Sequence, residues 1–136
     1  MAQDSTPMTQ LRVDHVALWV ADLERMRGFY EDVLGGTSGP LYENPRTGFR
    51  SYFVRFGECR LELMLRPGRD ECEPEATRLG YAHVALSAGS RAAVDTRVAE
   101  LRERGVRVVG TPRITGDGCY EAVIEDPEGN RIELVG

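Results

Sequence analysis

His15-Val16-Ala17-Leu18 recurs as His83-Val84-Ala85-Leu86, and Arg60-Leu61-Glu62-Leu63 recurs as Arg131-Ile132-Glu133-Leu134. Each copy opens on a His and closes on a Glu. Glu62 follows His15 by 47 residues and Glu133 follows His83 by 50, a mismatch that one short loop insertion absorbs. Self-similarity at a fixed spacing is how repeated architecture shows itself in sequence, so the chain reads as two tandem copies of one supersecondary unit. Shared order and near-equal separation carry this reading; neither tetrapeptide alone would.

A chain of 136 residues suits one compact domain with a usable core. Two modules of about 60 residues would each be marginal alone, so they should share a core or dimerise. The composition, 41% hydrophobic and 29% charged, is that of an ordinary soluble globular protein. No run of about 18 apolar residues exists, and we expect no membrane span. Residues 1–10 are polar, with neither a basic start nor an apolar run, and read as a frayed tail rather than a leader or anchor. A net charge of −5 with scattered arginines disfavours nucleic acid as a partner. Cys59, Cys72 and Cys119 are odd in number and lack Cys-x-x-Cys spacing, which argues against a disulfide framework or a zinc–thiolate site. A reducing cytoplasm is the expected compartment.

Residues 11–20 are rich in β-branched and aromatic types and read as a strand. Asp22 is the N-cap of a helix carrying Leu23, Met26, Tyr30 and Val33 at helical spacing and stopping at Gly35-Gly36. A short extended piece near Leu41 precedes the loop 44–48, and residues 49–56 and 59–65 form a hairpin about Gly57-Glu58. Module one, residues 11–65, is therefore βαβββ. Residues 66–80, with Pro67, Gly68 and Pro74 among charges, read as a surface linker. Module two, residues 81–136, repeats the order: strand 81–87, a helix capped by Ser90 and ended by Gly105, then strands at 107–114, 119–125 and 131–135. Turns fall at Gly116-Asp117-Gly118 and Asp126-Pro127-Glu128-Gly129-Asn130. The expected fold class is α+β: two tandem βαβββ modules forming a cupped mixed sheet.

Side chains alternate across a strand, so parity assigns faces before any fold is assumed. His15 is opposite in parity to Val16 and Leu18, Glu62 to Leu61 and Leu63, His83 to Val84 and Leu86, and Glu133 to Ile132 and Leu134. All four avoid the helix-covered face. Two imidazoles and two carboxylates converging on one point make an N₂O₂ set suited to nickel, cobalt, zinc, manganese or iron(II). Four protein ligands on an octahedral ion leave two positions for water or a chelating substrate. These are also the only two His of the chain.

At these residues the chain resembles the vicinal oxygen chelate superfamily: glyoxalase I, extradiol dioxygenases, methylmalonyl-CoA epimerase, fosfomycin-resistance proteins and bleomycin-binding proteins. The likeness runs from about residue 11 to 135. It includes the His-Val-Ala-Leu strand, the helix end Gly-Phe-Tyr-Glu-Asp-Val-Leu-Gly at 28–35, and the closing run Glu125-Asp126-Pro127-Glu128-Gly129-Asn130-Arg131-Ile132-Glu133-Leu134. The resemblance implies one such domain over residues 11–136, paired modules lining a cup, and a homodimer with two sites in which module one of one subunit can join module two of the other. The order His, Glu, His, Glu looks most like bacterial glyoxalase I, carried onto His15, Glu62, His83 and Glu133. That implies one divalent ion per site, nickel or zinc first, and a lyase or isomerase in which a ligand carboxylate takes the proton beside a chelated oxygen. Glu133 is the expected base, with Glu62 its counterpart.

Glutathione-using bacterial members commonly carry an Arg four residues after the first His and an Asn four after the first Glu. Here Trp19 and Arg66 stand at those positions. They share the parity of the ligands, as does Met64, and the three are the expected substrate-pocket residues. A glutathione hemithioacetal is thereby disfavoured as substrate. Arg66 or Arg60 is expected to face the cavity, where a guanidinium can pair with an anionic group of a small-molecule substrate. The rival function is a sequestering protein of the bleomycin-resistance type, which needs no metal ligands; epimerase-like or dioxygenase-like chemistry stands as a further alternative.

Overall fold

A computed structural model describes residues 13–68, 81–116 and 118–136. The tail 1–10, the first two residues of the expected strand 11–20, most of the linker 66–80, Cys72, and Asp117 of the expected turn lie outside the described residues.

Module one runs β1 (His15–Trp19), α1 (Leu23–Gly28), a π-helical turn (Phe29–Val33), β2 (Thr37–Ser38), β3 (Tyr42–Glu43), β4 (Arg50–Phe56) and β5 (Cys59–Leu65). Module two runs β6 (His83–Ser87), α2 (Arg91–Glu103), β7 (Val108–Ile114), β8 (Tyr120–Glu125) and β9 (Arg131–Val135). The caps read from sequence hold: Asp22 accepts from Arg25 N and Ser90 from Ala93 N, each at 3.1 Å, satisfying donors that a helix start leaves orphaned. The first helix departs from expectation in widening into the π turn rather than continuing as α to Gly35. Leu34 N reaches Phe29 O at 3.2 Å and Gly36 N reaches Tyr30 O at 2.9 Å, so the end is drawn shut by longer-range bonds. Gly36 is obligatory there, because a Cβ would sit 2.5 Å from Val54 Cγ1 and 3.0 Å from Tyr30 O.

Each module forms its own mixed sheet, with the order β1-β5-β4-β2 (β3 also on β4) in one and β6-β9-β8-β7 in the other. The repeat extends to register: β1 lies parallel to β5 with Ala17 opposite Glu62, and β6 lies parallel to β9 with Ala85 opposite Glu133. On the helix side, Leu61, Leu63, Ile132 and Leu134 join Leu23, Met26, Val94, Val98 and Leu101 in one buried cluster. The other face of each sheet is left open, and His15, Glu62, His83 and Glu133 lie on it, as their parity requires. Among the described residues no helix is long and apolar enough to cross a membrane.

A candidate metal centre in two halves

The small side chain of Ala17 decides the local geometry of the first half. Glu62 faces Ala17 across the parallel pair, and His15 stands two residues back on the same face, so the imidazole and carboxylate lean together over the methyl group. His15 Nε2 lies 3.6 Å from Glu62 Oε1. Ala85 does the same in the second half, where His83 Nε2 lies 3.2 Å from Glu133 Oε2. The carboxylates are the more sheltered members, 16% and 18% exposed, and the imidazoles, 36% and 41% exposed, present their edges to the open face.

Asp14 completes the first half. Its Oδ2 accepts from His15 Nδ1 at 2.8 Å and from Arg60 Nη2 at 2.7 Å. A carboxylate can only accept, so Nδ1 is the donor to Asp14, and Nε2 is left turned toward Glu62. The hydrogen bond from His15, then that from Arg60, hold the Asp14 carboxyl below the usual aspartate range. Phe53 meets the His15 ring edge-on at 5.2 Å, and the Arg60 guanidinium lies 4.5 Å over Phe53. Arg60 is therefore engaged by Asp14 and Phe53, so the guanidinium expected at the cavity is not a free one at this position.

These halves fit a divalent ion chemically. Two neighbouring donors, each about 2.1 Å from one ion, stand about 3 Å apart, close to both observed N···O separations. An imidazole nitrogen and a carboxylate oxygen side by side are also the donor types that a borderline divalent ion takes. Yet among the described residues no group of three or more candidate ligands gathers in one place. The chain brings the quartet together as two pairs, one on each sheet, and not as a set of four.

Trp19, Met64 and Arg66 do gather. Trp19 and Met64 are register partners, and the Arg66 guanidinium lies 4.9 Å over the indole. Phe49 meets Trp19 edge-on at 6.3 Å and Tyr42 at 6.1 Å, which extends the wall by two rings. Sequence reasoning missed Asp14, Phe53, Phe49 and Tyr42. The first had a signal, an acid beside a His with an Arg in matching register; Phe53 lies within β4, Phe49 just before it and Tyr42 on β3, and their ring contacts cross between segments that no periodicity relates.

The family model of the Glyoxalase/Bleomycin resistance protein/Dioxygenase superfamily matches residues 12–134. The lactoylglutathione lyase of Escherichia coli O157:H7 is 32% identical over 129 residues, covering 92% of each chain. The mitochondrial methylmalonyl-CoA epimerase of Bos taurus is 33% identical over 104 residues, 72% of this chain and 57% of that one. Among solved structures, the trypanothione-dependent glyoxalase I of Leishmania major superposes with a TM-score of 0.77 at 25% identity, covering 93% of this chain and 87% of that one. A match across nearly the whole chain, a relative aligned almost end to end, and the shared fold lead to one conclusion: the chain belongs to the Glyoxalase/Bleomycin resistance protein/Dioxygenase superfamily.

Proposed function

We propose that the protein is a divalent-metal-dependent lyase or isomerase of the glyoxalase type, moving a proton on the carbon beside a chelated oxygen of a small substrate. The observation that carries this reading is the pair of His–Glu couples, at 3.6 Å and 3.2 Å, in equivalent register on two sheets. A sequestering protein has no need of such duplicated ligand chemistry. Because the couples stand as two separate halves, the site is a shared one: His15 and Glu62 of one subunit meet His83 and Glu133 of a second in a homodimer. Nickel or zinc is the favoured ion, with cobalt, manganese or iron(II) compatible with the same donors.

When bound, such an ion polarises the substrate oxygen and makes the neighbouring C–H acidic. The chain's own residues do the rest. Glu133, sheltered to 18% exposure, takes the proton from the carbon and returns it to the neighbouring one, and Glu62 is its counterpart on the other sheet. Asp14 keeps the His15 ring turned with Nε2 outward. Trp19, Met64 and Arg66, extended by Phe49, wall the substrate. The mitochondrial epimerase relative supports a second reading with the same proton chemistry, in which the proton returns to the same carbon from the opposite face. Exposed thiols at Cys59 and Cys119 suit the reducing cytoplasm.

Metal analysis of protein purified without added ions tests the proposal. The expected result is about one ion per chain in the wild type and loss of most of it in His83→Ala and Glu133→Ala, since a missing ligand leaves an incomplete set. Full occupancy in both variants would remove the site.

A further inference from the structure

The two modules repeat each other closely enough that a difference between them is informative. Arg60 is neutralised by Asp14 at 2.7 Å, beside His15. Its counterpart Arg131 holds the same register beside His83, but Ala82 stands where Asp14 stands in the first module. Among the described residues Arg131 enters no ion pair, and neither does Arg113 on β7, whereas Arg107 is held by Glu125 at 3.3 Å.

Arg113 and Arg131 line one open cavity of about 380 Å³ with Val109, Gly110, Thr111 and Val123. Val123 stands between Gly110 and Glu133 in register, so the cavity adjoins the His83–Glu133 couple. Gly110 keeps it open: a Cβ there would meet Val123 Cγ2 at 3.2 Å and Arg113 Nη1 at 3.4 Å. Arg113, itself exposed, thus brings Nη1 close over the glycine. The acids on this face are Glu121, across the strand pair from Arg113, Glu125, already taken by Arg107, and Glu133, assigned to the ion above.

We infer that this cavity is an anion subsite in which Arg113 and Arg131 receive a carboxylate or phosphate group of the substrate, while the reacting carbon lies at His83 and Glu133. A planar guanidinium offers paired donors that match either oxyanion, and two of them that enter no ion pair among the described residues keep those donors for an anion. The position of the reacting carbon rests on the proposed function; anion binding does not.

The test is a titration of the full-length protein, stripped of metal and then reloaded, with methylphosphonate and separately with acetate, followed by amide NMR. Saturable shifts at Gly110, Thr111 and Val123 are expected in both states, with the tighter probe naming phosphate or carboxylate as the source. Arg113→Gln and Arg131→Gln should each weaken binding on the order of tenfold. Gly110→Val should fill the cavity, and if that variant fails to fold the two Gln variants decide. His83→Ala should lose the ion and keep the anion. Wild type that binds the anion but never holds an ion would retire the proposed function and leave the subsite standing. Binding unchanged in the doubly substituted Arg113→Gln, Arg131→Gln protein, or no saturable shift at these amides well above millimolar probe, would overturn the inference.

Discussion

Tyr30, in the π-helical turn that follows α1, donates its phenolic proton to Asp126 Oδ2 at 2.8 Å across 96 positions of sequence. Both residues are buried. Asp126 Oδ1 also accepts from Glu128 N and Asn130 N, each at 2.9 Å, and Oδ2 from Asn130 Nδ2 at 2.8 Å. Two residues on, the Glu128 carboxylate accepts from Ala21 N at 2.7 Å and Asp22 N at 3.1 Å, at the entry to α1. The Asp-Pro-Glu-Gly-Asn turn is therefore where the second module grips the first.

Tyr30→Phe should cost about 1.5–3 kcal/mol, the scale of a hydrogen bond to a charged group, with Asp126 keeping its three turn donors. Burial first, then the Asp126 charge, push the Tyr30 phenol far above the ordinary tyrosine range. The unfolded phenol ionises near pH 10 while the folded one stays protonated. The contribution is thus complete below about pH 10 and is lost as pH rises beyond it, because only the unfolded state releases the proton. Urea denaturation at pH 7 to 11 checks both effects. A wild type whose stability falls no faster than that of Tyr30→Phe above pH 10 would contradict the second.

Asp14→Asn should weaken divalent-ion affinity on the order of 10- to 100-fold, the usual effect of losing the partner that orients a ligating imidazole. The fold should be unaffected, since Asp14 is exposed and, among the described residues, its carboxylate bonds to His15 and Arg60 alone. Competition with a chromogenic chelator measures the affinity, and an unchanged constant would separate Asp14 from the site.

Mixing His15→Ala protein with Glu133→Ala protein distinguishes a shared site from one within a chain. If subunits share it, the mixed dimer carries one doubly damaged site and one intact site, and metal binding partly returns. Proven subunit exchange without recovery would assign each site to a single chain.

With methylglyoxal plus glutathione, metal-reconstituted protein should show a kcat/KM below roughly 10⁵ M⁻¹s⁻¹, the lower part of the efficient range. The reason is the indole of Trp19 and its Arg66 lid, which stand at the two positions where a glutathione-gripping Arg and Asn are expected. An efficient rate would show that this wall receives the thiol conjugate after all, whereas turnover of anionic α-hydroxy or α-keto compounds instead would match the subsite at Arg113 and Arg131.

Strand parity, the His–Glu repeat and both helix caps were legible in the sequence by itself, because each depends on local periodicity or on a side chain reaching its own backbone a few residues away. The same locality explains why β5 and β9 are found at the bounds read from composition. Only the tertiary structure decided what crosses from strand to strand and from module to module. That Ala17 and Ala85, not the histidines, lie opposite the glutamates is a matter of register. That Asp14 rather than a substrate occupies Arg60, and that Tyr30 reaches Asp126, are contacts between distant segments. Such contacts arise from how two sheets and two helices pack about one core, and residue spacing along a strand carries no record of them.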